Sequence, residues 1–260
     1  MFSFNVMKSS FLAGFSAVLM VVAAASFSVS CSRAPRYVSI TGYAQGGDYL
    51  VKVNLAGSDA DAASLKKGID SILTSFDNSL SGYNPNSLLT RFNAGEAIVP
   101  DSVFIEIYRM AGKFYELTGG AVDVSSGALF DIWGFGFTSD SLPSADRINA
   151  AMKSSGMDRL VGDLTLAESA DGTVRMSDIV ADGHPELCPV LNYNAIAQGY
   201  SSDLVAGYLR SHGVRDLLVN LGGEIVCSGV NPSGRPWTIG VDSPVDGNNV
   251  SGVELKGVLE

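Results

Sequence analysis

Two short alternating runs pass straight into a long segment of helical period, and this hand-over constrains the fold more than any other feature of the chain. Tyr37 to Gly42 and Tyr49 to Leu55 read as strands joined by the turn Ala44-Gln45-Gly46-Gly47-Asp48, where glycine supplies positive φ. From Ser58 onward Leu65, Ile69, Ile72, Phe76 and Leu80 fall on one helical face, with Ser58 or Asp59 as the cap. Strands and helices then mix without a regular strand–helix–strand rhythm. An α+β fold of layered mixed sheets and helices is therefore expected, not a doubly wound sheet.

The rest of the chain supplies the layers. Ser81-Gly82-Tyr83-Asn84-Pro85-Asn86-Ser87 is a loop, and Ser87 caps a short turn through Leu88, Leu89 and Phe92. Pro100 and Asp101 open a helix with Phe104, Ile107, Tyr108, Ala111, Phe114 and Tyr115 inward, stopped by Gly119-Gly120. Ala121 to Ser125 reads as a short strand, and Leu129 to Gly136 as a compact aromatic knot with Trp133 and Phe135 in the core. Ser144 caps a helix that ends at Gly156. The runs 164–168 and 173–177 alternate around Asp171-Gly172, a hairpin signal. Further strands are expected near Leu217–Asn220, Glu224–Ser228 and Trp237–Val241. Val250, Val253, Leu255 and Val258 read as a strand that runs to Glu260 without a turn or polar tail, the pattern of a chain that continues.

Composition sets outer bounds. With 46% hydrophobic and 17% charged residues the 260-residue chain is globular, and a net charge of −10 without a basic run argues against a nucleic-acid surface. Two histidines and three cysteines are too few for a His/Cys metal cluster, so any metal is a hard one on oxygen ligands. Lys8 is followed by nineteen uncharged residues, Phe11 to Val29. These read as a secretory signal, with a membrane anchor as the competing reading. Ser28-Val29-Ser30-Cys31 resembles a bacterial lipoprotein cleavage box with Ser28 in place of the usual Leu. The division that follows is residues 1–30 as signal peptide, Cys31 as the lipidated first residue, 31–36 as tether and 37–260 as the domain. The protein is then expected in a bacterial cell envelope, lipid-anchored and facing the periplasm. Cys188 and Cys227 could pair there.

Several chemistries are excluded. There is no Gly-x-Ser-x-Gly elbow, no Gly-x-Gly-x-x-Gly after the first strand and no P-loop, and neither His184 nor His212 sits in a catalytic context. Asp123 is a lone carboxylate flanked by glycines, as suited to stabilising a turn as to accepting a ligand. Tyr83 could stack on a flat ring or cover its own core edge. Leu191 to Asp203 passes from turn formers into a helix, with Asn192 and Asn194 as caps, Ile196, Tyr200, Leu204 and Tyr208 at helical spacing, and Gly213 as stop. Its N-terminus could receive an anion such as phosphate.

Taken in order, Gly42-Tyr43-Ala44-Gln45-Gly46, the segment from Ser81 to Asn93, Thr118 to Asp123, Leu129 to Gly136, Leu191 to Asp203 and Asn220 to Glu224 resemble the ApbE-type flavin transferases. The resemblance covers about residues 40 to 245. That family consists of lipoproteins and periplasmic enzymes, the FAD:protein FMN transferases. The resemblance implies binding of FAD and Mg²⁺-dependent movement of its FMN part onto a threonine hydroxyl of an acceptor flavoprotein, with release of AMP. Gln45, Tyr83, Ala121, Val122, Asp123, Asn192 and Gln198 match FAD-contacting positions. Ala195 matches a Mg²⁺-ligand position and would act through its backbone carbonyl.

The sequence departs from the family pattern at several of these places. Gln45 stands where many relatives have Met, Gly47-Asp48 replace a threonine pair, Asn192 replaces Asp, Gln198 replaces Lys or Glu, and Ala128 replaces Pro. The family's downstream His-x-x-Asp-Pro-type segment, with the Asp and Thr that complete the Mg²⁺ site, has no counterpart before Glu260. On that ground the 260-residue chain is expected to be unstable or inactive alone, and a flavin-binding lipoprotein that holds FAD without catalysis is the alternative function.

Overall fold

The computed structural model describes residues 34–135, 142–166, 168–184, 186–245 and 255–259. Residues 36–260 form one compact unit; of residues 1–35 only Ala34 and Pro35 are described. Cys31, the signal-like segment and Gly136 lie outside the described residues.

Four antiparallel strands in the order β1-β2-β3-β4 make the main sheet: β1 (Tyr37–Ala44), β2 (Gly47–Asn54), β3 (Leu217–Leu221) and β4 (Glu224–Ser228). Alternation along β2 buries Tyr49, Val51 and Val53, and along β3 it buries Leu217, Val219 and Leu221. The register sets these side chains opposite one another as Tyr49↔Leu221, Val51↔Val219 and Val53↔Leu217. A slip of one residue would turn all three of the slipping strand to the other face. The chain therefore leaves the sheet at Leu55, builds its helices, and returns at Leu217 to close it. A separate two-stranded ribbon pairs β5 (Ile239–Asp242) with β6 (Leu255–Leu259).

Two helices cover the buried face of the sheet. α1 (Ala62–Leu80) starts later than its cap signal suggested. Asp61, not Ser58 or Asp59, is the N-cap, its Oδ1 accepting from the amides of Ala63 and Ser64 at 2.9 and 3.0 Å. Ser58 instead donates its hydroxyl to the His212 carbonyl at 2.7 Å, at the far end of the second helix. Leu65, Ile69 and Leu73 of α1 join the sheet core. Farther along, Phe76 and Leu80 enter a second core with α2 (Leu88–Asn93) and α3 (Ser102–Leu117), centred on Phe92, Phe104 and Tyr193. Asp101 joins the layers, capping α3 through the Phe104 amide at 2.8 Å while accepting from Ser79 of α1 at 2.9 Å.

The second covering helix, α6 (Ala197–Ser211), belongs to both cores. Its apolar pattern of Ile196, Tyr200 and Leu204 is only half-buried against the second core, whereas Val205, Ala206 and Leu209 are fully buried in the sheet core. Periodicity alone picked out the first stripe and missed the second, because two serines, Ser201 and Ser202, share the buried side. Gly213 ends the helix as expected, with φ +79°.

Other expectations fail locally. Residues 121–125 form turns, not a strand, and only Ser126 bridges to Val190. The expected hairpin at 164–177 keeps its turn, Gly172 having φ +77°, but its arms are 3₁₀ turns at Leu164–Leu166 and Met176–Ile179. There Arg109 of α3 reaches across to Asp163 at 2.8 Å. Hydrogen bonds from Thr165 and from Arg109 hold the Asp163 carboxyl below its ordinary pKa. Trp133 and Phe135 are not core: they are 47% and 73% exposed beside α4 (Gly127–Ile132). α5 (Ala145–Ser154) follows, capped by Ser144 as expected. Cys188 and Cys227 lie at the surface and are not joined to each other. Among the described residues no helix is long and apolar enough to cross a membrane.

Packing around α4 gives a contrast between two glycines. A Cβ on Gly127 would lie 2.5 Å from the Val190 carbonyl oxygen, a backbone atom that also accepts from the Gly127 amide at 2.9 Å. Gly112, within α3, has nothing within 4 Å of such a Cβ. We expect Gly127→Ala to destabilise by about 1–3 kcal/mol and Gly112→Ala to stabilise by about 0.5–1 kcal/mol. Urea unfolding of both variants checks this, and a Gly127→Ala protein as stable as the parent would refute the close packing of residues 126–127 on Val190.

Candidate functional site

Closure of the sheet sets two hairpin tips side by side. Ala44 pairs with Gly47, leaving only Gln45-Gly46 as the loop between β1 and β2, shorter than the five-residue turn read from the sequence. Both loop residues have positive φ, +53° and +82°, as in a type I′ turn. Gln45 is the only described non-glycine residue in that region. Leu221 pairs with Glu224 around Gly222-Gly223, again with φ positive at both positions. The tips are linked where the Gly222 amide donates to the Asp48 carbonyl at 3.4 Å.

Beneath the two tips α6 begins. Its N-cap position is Ile196, which has no side-chain capping bond, so Asn192 and Asn194 are not the caps expected. Asn192 instead accepts from the Asn194 amide at 2.9 Å, shaping the turn before the helix. Asn192 also donates its own amide to the Val124 carbonyl at 2.7 Å, which fastens the 121–125 segment alongside. Gln198 lies in the first turn of α6, and a Cβ on Gly222 would come within 2.9 Å of its Nε2.

A cavity of about 1060 Å³ opens here, walled by α1, the Gln45 turn, the 81–83 loop and the start of α6. That is at the upper end of the roughly 300–1000 Å³ of small-molecule and cofactor sites. Gln45, Tyr83, Asn194, Ala197 and Gln198 line it. Tyr83 is 67% exposed, on a loop held stiff from within. The Tyr83 and Asn84 amides donate to Ser81 Oγ at 3.1 and 3.2 Å, and buried Ser87 donates to the Ser81 carbonyl at 2.7 Å. Tyr43 lines the same cavity, so two tyrosines stand on its wall.

Charged groups enter from α1. Tyr49 Oη donates to Asp70 at 2.5 Å and accepts from Lys66 Nζ at 3.0 Å; Lys66 also reaches Asp70 at 2.9 Å. The Tyr49 ring reaches them because Gly42, its cross-strand partner, has no side chain: a Cβ there would lie 2.4 Å from the ring. Burial works to raise the Asp70 pKa, but the bonds from Tyr49 and Lys66 outweigh it and hold the carboxyl below its ordinary range. Tyr49 and Asp70 in turn push the Lys66 ammonium pKa up. Asp77 also lines the cavity. Sequence reading singled out none of these, since a helix face with Lys66 and Asp70 at i,i+4 looks like an ordinary solvated surface.

One polar atom of a residue in the lining lacks a partner. Ser201 donates its hydroxyl to Gln45 Oε1 at 3.0 Å, while Gln45 Nε2 is buried and has no hydrogen bond. A donor left so costs about 1–3 kcal/mol unless something supplies an acceptor. Tyr193 Oη is likewise unpaired but does not line the cavity.

Of the positions singled out from sequence, the fold brings Gln45, Tyr83 and Gln198 to the cavity. Asn192 stands one hydrogen bond behind it, through Asn194. Ala121, Val122, Asp123 and Ala195 are outside the lining. Asp123 Oδ1 accepts from the amide and hydroxyl of Ser125 at 2.8 and 2.6 Å, the turn-stabilising arrangement. Among the described residues no three His, Cys, Asp or Glu side chains gather to hold a metal. The Ala195 carbonyl alone does not make a Mg²⁺ site, so these residues do not fit the ion as a complete set. His184 and His212 are both outside the cavity.

The profile of the ApbE family matches residues 38–259. The chain belongs to the ApbE family. Among curated relatives, the FAD:protein FMN transferase of Vibrio cholerae is 30% identical over 231 residues, covering 87% of this chain and 65% of that protein. The protein of the same name from Escherichia coli is 27% identical over 243 residues, 88% of this chain and 66% of its own. The chain thus spans a little under two thirds of the length of these relatives. The solved flavin transferase ApbE from Vibrio cholerae superposes with a TM-score of 0.68 at 29% identity, over 81% of this chain and 65% of that one. The apo flavinyl transferase ApbE of Pseudomonas stutzeri gives 0.68 at 29%, over 80% and 62%. These ApbE structures share the α+β architecture described above.

The glycine pair at the second tip separates backbone strain from site geometry in this ApbE-family chain. Alanine at Gly222 or Gly223 must adopt positive φ at a cost of about 1–2 kcal/mol, yet only at Gly222 does the new Cβ meet Gln198. We expect Gly222→Ala and Gly223→Ala to lose similar stability in thermal unfolding, and Gly222→Ala alone to weaken by about tenfold, a difference of about 1.4 kcal/mol, the binding of a ligand titrated into the cavity beside Gln198. Equal binding by the two would show that Gln198 placement does not matter.

Proposed function

We propose that the protein binds FAD in the cavity beneath the two hairpin tips and transfers its FMN part to a threonine hydroxyl of an acceptor flavoprotein, releasing AMP. The observation that carries the proposal is a roomy cavity, in an ApbE-family fold, to which three of the family's FAD positions converge. In the reaction the threonine oxygen bonds to the phosphorus of the FMN half. The bond from that phosphorus to the bridging oxygen breaks, AMP leaves with that oxygen, and the threonine proton passes to water.

This chain's own residues would bind and orient. Tyr43 and Tyr83 can stack on a ring, which is sequence-tolerant and suits a flat ligand. The uncapped start of α6 offers backbone donors and the positive end of the helix dipole to the pyrophosphate. Gln198 adds a neutral donor beside it. Mg²⁺ dependence belongs to the proposal, with the Ala195 carbonyl as one donor, but the described residues do not complete its ligand set and no step is assigned to it.

A second reading, FAD binding without transfer, draws on the neutral amides at Gln45, Asn192 and Gln198. Co-expression with an acceptor flavoprotein and mass spectrometry of its tryptic peptides separates the two. A threonine peptide heavier by one FMN supports transfer; tight FAD with an unmodified acceptor supports binding only. AMP release alone does not decide, because hydrolysis of FAD also yields it.

Cell-envelope anchoring is the remaining element of the proposal, and it rests on the residues before Cys31. Metabolic labelling with a radioactive fatty acid should mark the protein, and Cys31→Ser should abolish the label. Persistent labelling of that variant would remove Cys31 from the proposal.

A further inference from the structure

We infer that Ser201 is a positioning residue that turns the Gln45 carboxamide so that Nε2 donates to an uncharged acceptor on a heteroaromatic ring of the bound ligand. The inference rests on the FAD reading above and deepens it.

Three observations lead here. A two-residue loop with positive φ at both positions favours Asn-Gly or Gly-Gly, so Gln45 at φ +53° is not what the turn itself selects. Strain at a single non-glycine position on a cavity wall points to use of its side chain. That side chain is long enough to meet Ser201, which lies 156 residues away in sequence and is fully buried on α6.

One arrangement of the hydroxyl protons serves every acceptor. Ser201 Oγ has two acceptors in reach, Gln45 Oε1 at 3.0 Å and the Gln198 carbonyl at 2.9 Å. Ser202 Oγ also reaches the Gln198 carbonyl at 3.0 Å. When Ser202 donates to Gln198, Ser201 is released to donate to Gln45, and every acceptor is served. The carboxamide oxygen is then engaged and Nε2 is left as the buried donor without a partner. Because the donor is neutral and desolvated, its best match is a neutral ring carbonyl or ring nitrogen, whereas the pyrophosphate is better served at the start of α6. FAD carries such acceptors on both its isoalloxazine and adenine rings.

The test measures binding of FAD, riboflavin and AMP to the full chain carrying Ser201→Ala, Gln45→Met, both, or Ser201→Thr. We expect Ser201→Ala to weaken FAD about fivefold, the scale of one neutral hydrogen bond, and Ser201→Thr, which keeps the hydroxyl, to restore it. In the Gln45→Met background Ser201→Ala should change nothing further, an outcome that a merely structural serine would not give. Loss on riboflavin assigns the acceptor to the isoalloxazine ring, where the visible absorption band of the bound flavin should also shift; loss on AMP assigns it to adenine. If wild type binds FAD and Ser201→Ala binds it equally, or if the two substitutions are additive, the positioning role is wrong while the FAD reading stands. If wild type binds none of the three ligands, both fall.

Discussion

The pairing of β2 with β3 is the constraint on which the rest of the molecule depends. It joins residues 164 to 172 positions apart, and it does so through three buried pairs whose shapes must meet at once: Tyr49 with Leu221, Val51 with Val219, Val53 with Leu217. Each side chain removed from water contributes about 1.5–3 kcal/mol. That gain offsets the entropy of closing a loop containing nearly all the helices, a term that grows only slowly with loop length. The same register fixes where the two hairpin tips lie. Were β3 to slip, Gly222 would leave Asp48 and Gln198 would lose its neighbour. Sheet closure and site assembly are in this sense one event.

α6 transmits that constraint into the cavity. Packed on both cores, it cannot rotate to improve one without spoiling the other. Its sheet-facing side is built of Ser202, Val205, Ala206 and Leu209, small enough to let the helix lie close to β3 and β4. Of the two buried serines, Ser202 is satisfied locally on the Gln198 carbonyl and Ser201 on Gln45 Oε1, so they add little cost to burial. They also place polar chemistry at the one end of the helix where the hairpin tips arrive. α1 works in parallel: its first half seals the sheet, and its second half seals the other core. The face between the two carries Lys66, Asp70 and Asp77 into the cavity.

What sequence could reveal follows from how local each signal is. Ser87 and Ser144 cap their helices as read, because a cap is decided within three or four residues. The strands of the main sheet were legible for the same reason. Failures came where partners are distant. Residues 121–125 have strand-like composition but lie against Val190 and Asn192, which impose turns and a single bridge. The alternation at 164–177 has no sheet to join, and Asp163 is instead tied to Arg109. In the site, Gln45, Tyr83 and Gln198 could be carried over from the family resemblance. Ser201 could not, since a serine in an amphipathic pattern gives no sign that it faces a hairpin tip from the other end of the chain. The Lys66, Asp70 and Tyr49 cluster was hidden likewise, its tyrosine arriving from the sheet.

The charge balance of the cavity bears on how an FAD ligand would be held. Among the described residues of the lining Lys66 is the cation, and it is paired with Asp70 at 2.9 Å. Asp77 adds another carboxyl group. Attraction for a pyrophosphate then falls to the start of α6, where a helix dipole is worth about 0.3–1 kcal/mol at exposed sites. That is small beside two tyrosine faces and the burial of a ring system, each square ångström of apolar surface contributing about 25 cal/mol. On the FAD reading, recognition by rings and neutral amides would therefore outweigh recognition by charge, and binding on these terms would depend little on ionic strength. The same arithmetic accounts for the amides at Gln45 and Gln198. On a wall whose one ammonium is already paired, neutral donors desolvate at less cost than a further charge would, and they retain the directionality that orients a ring.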